Sequence, residues 1–149
     1  MSAGRNHEPG SVTDAISRGG VSTLNVIDGP ESLDQRLVRQ VFERLAPDYD
    51  AASGPDQEIG ARLMEHLEPV RIEPTLIVDI GAGTGGCARR LQRSYRKAQI
   101  LAVDVAPAML RIARRQAPRF RSRQRFVCTD AQQLGITSGR ADLVYSNLA

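Results

Sequence analysis

The stretch TLIVDIGAGTGG, Thr75–Gly86, decides how the chain is read: an apolar run, an acid inside it, then four glycines within six residues. A short continuous apolar run closed by glycine is the pattern of a strand buried on both faces, as in a parallel sheet. The glycines behind it leave the backbone bare. Such a loop turns sharply, lets a ligand approach the main chain, and leads into a helix whose first N–H groups point outward. A loop of that kind at the carboxyl end of a parallel strand is a ligand site by topology.

Working outward, strand and helix signals alternate. Thr75–Ile80 is the first strand and Gly85–Tyr95 a helix. Gln99–Asp104 (QILAVD) is the next strand, and Pro107–Ala117 a helix with proline in its first turn. Arg125–Asp130 (RFVCTD) and Ala141–Ser146 (ADLVYS) complete four strands. Alternation of this sort predicts an α/β fold with a mainly parallel sheet and right-handed crossovers. Two helices precede it. The first runs from Ser32 to about Ala46, with Leu33, Leu37, Val41 and Leu45 forming one apolar stripe beside Val38 and Phe42; the second runs from Pro55 to Leu67 with Ile59, Leu63, Met64 and Leu67 inward. Residues 1–30 are polar, glycine-punctuated and without period, so they are expected to be a disordered leader ahead of a domain spanning 31–149. The chain stops directly after the fourth strand, and the sequence therefore reads as a fold truncated there, its C-terminal portion missing.

Composition narrows the classes. With 149 residues, 41% hydrophobic and 25% charged, the chain has room for one soluble domain. The net charge of +3 is carried almost wholly by arginine, Lys97 being the one lysine, which suits planar anionic partners. No apolar run approaches the ~20 residues of a membrane span, and the first thirty residues lack a secretory pattern. A cytoplasmic protein with no membrane partner is expected. Cys87 and Cys128 stand far apart without a CxxC or a nearby histidine pair, so neither a metal site nor a disulfide framework is expected.

The glycines fit two ligands at first sight. Gly81, Gly83 and Gly86 have the spacing GxGxxG of dinucleotide-binding folds, with Asp104 close to the ~20 residues downstream at which a carboxylate grips a ribose. Three details favour another ligand. Asp79, two residues before the first glycine, would repel a pyrophosphate and attract an ammonium. The glycines also read as GxGxG, through Gly81, Gly83 and Gly85. Asp130, at the end of the third strand and followed by Ala131, is placed to accept from an adenine amino group. An ammonium, a ribose diol and an adenine then each have an acid.

S-adenosylmethionine carries all three, and the quartet VDIGAGTG, AVDVAPAML, CTDAQQL and ADLVYSN resembles the successive motifs of the class I S-adenosylmethionine-dependent methyltransferases, whose sheet is Rossmann-like with helices on both faces. The region VFERLAPDYDAASGPDQ and the closing DLVYSNLA are similar to the corresponding parts of the biotin-pathway malonyl-[acyl-carrier protein] O-methyltransferases, a resemblance covering roughly Ser32 to Ala149. It implies that Gly81, Ala82, Gly83 and Gly85 line the methionine part with Asp79 at its amino group. Asp104 would hold the ribose, Val105 and Met109 would bracket the adenine, and Asp130 with Ala131 would read its edge. Asn147 would lie at the methyl-donor end, and Tyr49 and Gln57 at a lid. No catalytic base is assigned: an acceptor carboxylate is already ionised near neutral pH. His66 and His7 lie far from every motif and are read as non-catalytic. By the same resemblance the partner would be malonyl-acyl carrier protein, with the arginine-rich segment Arg111–Arg125 either facing it or simply solvated; nucleic acid is not expected. Other readings remain open: a methyltransferase of a quinone or another carboxylic acid, a nicotinamide-binding Rossmann oxidoreductase, or a non-catalytic assembly protein on the same scaffold.

Overall fold

The structure is a computed structural model, and it describes residues 21–23, 33–137 and 139–147. Its sheet grows from the run that the sequence makes most apolar. Strand β2 (Leu76–Ile80) has Ile77, Val78 and Asp79 fully buried, and it pairs in parallel with β3 (Gln99–Asp104) on one side and β5 (Leu143–Ser146) on the other. Beyond β3 come β4 (Gln124–Cys128) and then β1 (Val21–Thr23), giving five parallel strands in the order β1-β4-β3-β2-β5. The expected leader over residues 1–30 thus contains a strand at Val21–Thr23, and the rest of that segment lies outside the described residues.

Direction of travel across the sheet decides where the connections go. From β2 through β3 to β4 the chain steps one way, and right-handed crossovers place α4 (Gly86–Ser94) and α5 (Pro107–Gln116) on the same face. Ala88, Leu91, Leu110 and Ala113 of these helices pack there against Ile77, Ile100, Ala102 and Phe126. To reach β5 the chain must step back past β3 and β2, which sends its connection over the opposite face. Among the described residues no helix covers that second face: Leu134, Ile136 and Ala141 of the connecting segment pack on Val78, Leu101, Val103 and Val127. The reversal between β2 and β5 is a topological switch point, and it lies beside the glycine loop.

Two contacts fix this arrangement locally. At the amino ends, one oxygen of Asp142 accepts from the Thr75 N–H (2.8 Å), the Leu76 N–H (3.0 Å) and the Thr75 hydroxyl (2.7 Å), tying the starts of β2 and β5. These donors, the hydroxyl first, hold its carboxyl below the usual range. At the other end Gly85 caps α4 with φ of 79°, and a Cβ there would stand 2.9 Å from the Ala113 Cβ. Glycine is needed twice over, for the left-handed backbone and for the approach of α4 to α5.

The leading helices differ from the simple stripe expected of them. In α1 (Leu33–Leu45) the residues Leu37, Val38, Val41 and Leu45 are each about half exposed, while Phe42 and the following Ala46 make the contact with Ala106 and Met109. Periodicity correctly marks a helix, but α1 meets the domain chiefly through Phe42, against α5 and Tyr49, so most of its apolar stripe stays exposed. A short helix α2 (Tyr49–Ala52) follows, then α3 (Gly54–Leu67), whose Met64 and Leu67 reach the core while Ile59 and Leu63 stay outside.

Substituting Gly85→Ala should destabilise the domain by about 1–3 kcal/mol through strain and overpacking, whereas Gly139→Ala, also at positive φ but with nothing within 4 Å of the new Cβ, carries only the backbone cost. Urea denaturation of the two variants side by side checks the difference.

Candidate functional site

The glycine loop is held open by its own backbone and by one acid. Gly81 and Gly83 adopt φ of 67° and 52°, conformations that a side chain would resist. Between them the Ala82 N–H donates to the Val103 carbonyl (2.9 Å), so the loop stays in contact with the end of β3. Asp104, the last residue of β3, accepts from the Gly83 N–H and from the Ala106 N–H, both at 2.8 Å. Burial nevertheless raises its carboxyl above the usual range, outweighing these donors. Asp130, two residues past the end of β4 one strand over, accepts from the Gln132 N–H (2.8 Å) and caps the turn Ala131–Gln133.

Two cavities meet above these strand ends, sharing Tyr49, Gly81, Gly83 and Asn147 as common walls. The first, of about 310 Å³, is mainly apolar and gathers Tyr49, Gly81, Gly83, Asp104, Val105, Met109, Asp130, Ala131 and Asn147. Nine of the twelve site residues expected from the sequence therefore surround one space. Val38, Phe42, Thr129 and Gln132 join them there. The second, of about 360 Å³, is polar and takes Asp79 and Ala82, with Gln57 on its rim. Gly85 lines neither cavity; it is spent on the packing of α4 against α5.

Asp79 is a buried acid that the described residues satisfy only in part. Its side chain is 1% exposed, and Oδ2 has no hydrogen-bond partner among the described residues. Burial, followed by repulsion from Asp104, raises its carboxyl from 3.8 to about 7, opposed by the Ala88 N–H. A buried carboxyl of this kind is half neutral near pH 7 and becomes a strong acceptor for any cation that reaches it. Close by, the Cys87 thiol donates to the Tyr145 hydroxyl (3.7 Å), which in turn donates to the Gly60 carbonyl (3.2 Å). Burial pushes both the Cys87 and the Cys128 thiols up, so neither is a ready thiolate.

The roof is built from the α1–α3 region. Tyr49 donates to Asp56 (3.2 Å) and meets Phe42 edge-on, ring centroids 6.2 Å apart. Asp50 accepts from the Thr84 hydroxyl in the glycine loop and from Gln116 of α5 (2.7 Å), fastening this roof to the floor. Gln57 donates to the Asp50 carbonyl (3.1 Å) and to Ser53 (3.2 Å), and Asn147 donates to the Asp56 carbonyl (3.1 Å). The wall opposite carries Arg89, Arg90 and Arg93 of α4. The sequence reading passed over these arginines, and over Asp50, because nothing in a helical run says which turn faces a cavity. A cue was present in their position, directly after the glycine loop. His66 is exposed on α3 with Nδ1 against the Arg62 carbonyl (2.8 Å) and lines no described cavity, while His7 lies outside the described residues. Among the described residues no cluster of His, Cys, Asp or Glu is placed to hold a metal ion, and no helix is long and apolar enough to cross a membrane.

Known proteins share this fold and parts of this sequence. Residues 77–149 match the family model described as a methyltransferase domain. In solved structures, magnesium protoporphyrin IX methyltransferase from Synechocystis PCC 6803 superposes with a TM-score of 0.64 at 21% identity, over 76% of this chain and 57% of that one, a likeness of fold. Sheet and glycine loop have the Rossmann-like fold of that methyltransferase, and about half of the sequence resembles a methyltransferase domain. More particularly, the chain is similar to malonyl-[acyl-carrier protein] O-methyltransferases: 48% identical over 119 residues to that of Halorhodospira halophila and 39% over 123 residues to that of Laribacter hongkongensis. It is also 34% identical over 117 residues to a biotin biosynthesis bifunctional protein of Cellvibrio japonicus, 22% of which it spans. The matches cover 80% and 78% of this chain for the first two, which it spans to 40% and 41% of their length.

The sign of the pH dependence follows from Asp79. Between its ordinary value and about 7 the unfolded chain has released a proton that the folded one keeps, so ligand-free stability falls as pH rises through that window. Asp79→Asn should flatten this slope in urea unfolding followed from pH 4.5 to pH 8; a slope equal to the parent's would assign the titration to another group.

Proposed function

We propose that the two joined cavities bind S-adenosylmethionine and that the whole protein transfers its methyl group to the free carboxylate of malonyl carried on acyl carrier protein, in the biotin pathway and in the cytoplasm. The observation that carries the reading is the set of acids at the carboxyl ends of three neighbouring strands, Asp79, Asp104 and Asp130, around one glycine loop. The residues fit the ligand. Asp79 lines the polar cavity and its Oδ2 is buried with no described partner, so an ammonium reaching it would neutralise it. Asp104 spends one lone pair of each oxygen on backbone N–H groups and keeps others for ribose hydroxyls. Val105 and Met109 form apolar walls for an adenine, and Asp130 with Ala131 lies at its edge.

When bound, S-adenosylmethionine supplies an electrophilic methyl on a positively charged sulfur. The chain's own work is placement. Asn147 and Tyr49, common to both cavities, mark the level at which donor and acceptor would meet, and Phe42 with Tyr49 excludes water from above. An acceptor carboxylate needs no base, which agrees with a site whose thiols are held protonated and whose histidine lies elsewhere. A nicotinamide ligand is disfavoured by Asp79, since a pyrophosphate at the loop would meet a second anion.

An acidic carrier would find cations on α5: Arg111, Arg114 and Arg115 are exposed, and Phe120, 79% exposed, carries Arg121 5.4 Å above its ring. Charge reversal at Arg114 and Arg115 in the full-length enzyme should raise the apparent KM for carrier-linked acceptor several-fold at low salt and leave kcat nearly unchanged; an unmoved KM would remove the docking face.

The cofactor reading is tested by calorimetric titration of S-adenosylmethionine and, separately, NAD. Binding of the former alone, weakened at least about 10-fold by Asp104→Ala through loss of charge-assisted hydrogen bonds, is the expected outcome. Binding of NAD instead would return the loop to the dinucleotide folds.

A further inference from the structure

Helix α3 carries a glycine in its interior, a conformational cost that is offset where another group must come close. Among the residues of this helix Gly60 alone is buried, and a Cβ there would stand 3.0 Å from Asn147 Nδ2 and 3.1 Å from Cys87 Sγ. The Gly60 carbonyl accepts from the buried Tyr145 of β5, through its hydroxyl at 3.2 Å. One turn back on the same face of the helix, the Asp56 carbonyl accepts from Asn147 Nδ2 (3.1 Å). The two fastenings are in step, because four helical residues advance about 6 Å and two residues of extended chain about 6–7 Å. The end of β5 and the first half of α3 thus meet at two matched points. Asn147 is the member of this set that reaches the wall common to both cavities.

We infer that Gly60 and Tyr145 are positioning residues for methyl transfer: Tyr145 sets the height of α3 over the sheet, Gly60 leaves room for the Asn147 amide, and together they fix that amide where the cavities join. The inference rests on the S-adenosylmethionine reading, in which Asn147 stands at the methyl-donor end. Gly60 and Tyr145 line neither cavity, so they act through Asn147 and not on a ligand. The amide is braced from two sides. Its Nδ2 is held by the Asp56 carbonyl, and Asp56 is held in turn by the Tyr49 hydroxyl at 3.2 Å. A methyl group added at Gly60 would push the amide by a few tenths of an ångström. Displacement on that scale costs rate, because an in-line transfer demands close alignment of donor and acceptor.

The test has two readouts on the full-length enzyme. In nitrogen-edited NMR spectra without ligand, the Asn147 side-chain amide pair, assigned by its loss in Asn147→Asp, should move in both Gly60→Ala and Tyr145→Phe. A pair that stays in place in both variants overturns the inference. In methyl transfer to malonyl-acyl carrier protein at saturating substrates, each of the two substitutions should lower kcat by about 10-fold. Asn147→Ala should lower it at least as much. In an Asn147→Ala background the same two changes should alter kcat by less than about 2-fold, since no amide is left to misplace. A merely structural role lowers the rate by the same factor in both backgrounds. Tyr145→Phe keeps the ring and its buried volume, so the cycle stands even where Gly60→Ala fails to fold. Equal factors in the two backgrounds, or an Asn147→Ala enzyme as fast as the parent, overturn the inference and leave the cofactor reading in place. A parent that does not bind S-adenosylhomocysteine in calorimetry overturns that reading and the inference with it.

Discussion

Two backbone N–H groups converge on one carboxylate at the tip of β3, and the geometry of the site depends on that convergence. Asp104 receives Gly83 from the loop behind β2 and Ala106 from the turn into α5. Without such an acceptor, the left-handed loop would have a free donor at its apex and no reason to remain over the sheet. With it, the ends of two strands and the starts of two helices are fixed to one another. The same carboxylate sits close enough to Asp79 to help keep that group protonated. A single residue thus shapes the floor and adds to the burial that keeps its neighbour protonated.

Charge is distributed unevenly above this floor. The side toward β4 is largely apolar, while the side toward α3 and α4 mixes Asp50, Asp56 and Asp79 with Arg89, Arg90 and Arg93. Such mixtures are costly to bury unless each member finds a partner. Asp50 finds two, in Thr84 and Gln116, and so acts structurally. Asp79 Oδ2 finds none among the described residues. The contrast between a satisfied acid and an unsatisfied one, on neighbouring walls, separates the part of the pocket that holds the fold from the part available to a ligand.

Much of this was readable from the chain alone because it is local. The apolar run, the glycines and an acid at each strand end occur within short windows, and the sheet brings those windows together in the register their lengths imply. What escaped depends on distant partners. The stripe Leu37, Val41 and Leu45 announces a helix yet cannot say that these residues will stay half exposed while Phe42 makes the contact. The cover of the second sheet face by Leu134 and Ile136 follows from the step back to β5, a property of strand order. Gly85 looked like one more loop glycine, and only the closeness of Ala113 reveals its packing role. Arg89 and Arg90 read as ordinary helix surface until the roof is in place.

Helix α3 is fastened to the sheet near its middle, where the Tyr145 hydroxyl reaches the Gly60 carbonyl, and any Cβ on Gly60 would press on Asn147 and Cys87. Its first turn is held by the part-buried bonds of Asn147 and Tyr49 to Asp56 and by the exposed bonds of Gln57 to Asp50 and of Arg90 to the Gln57 carbonyl. Solvent-exposed bonds open at lower free energy than buried ones. The fastening at Gly60 is buried while two of the first-turn bonds face solvent, so the end of α3 over the charged cavity is the part of the helix that opens at lower cost.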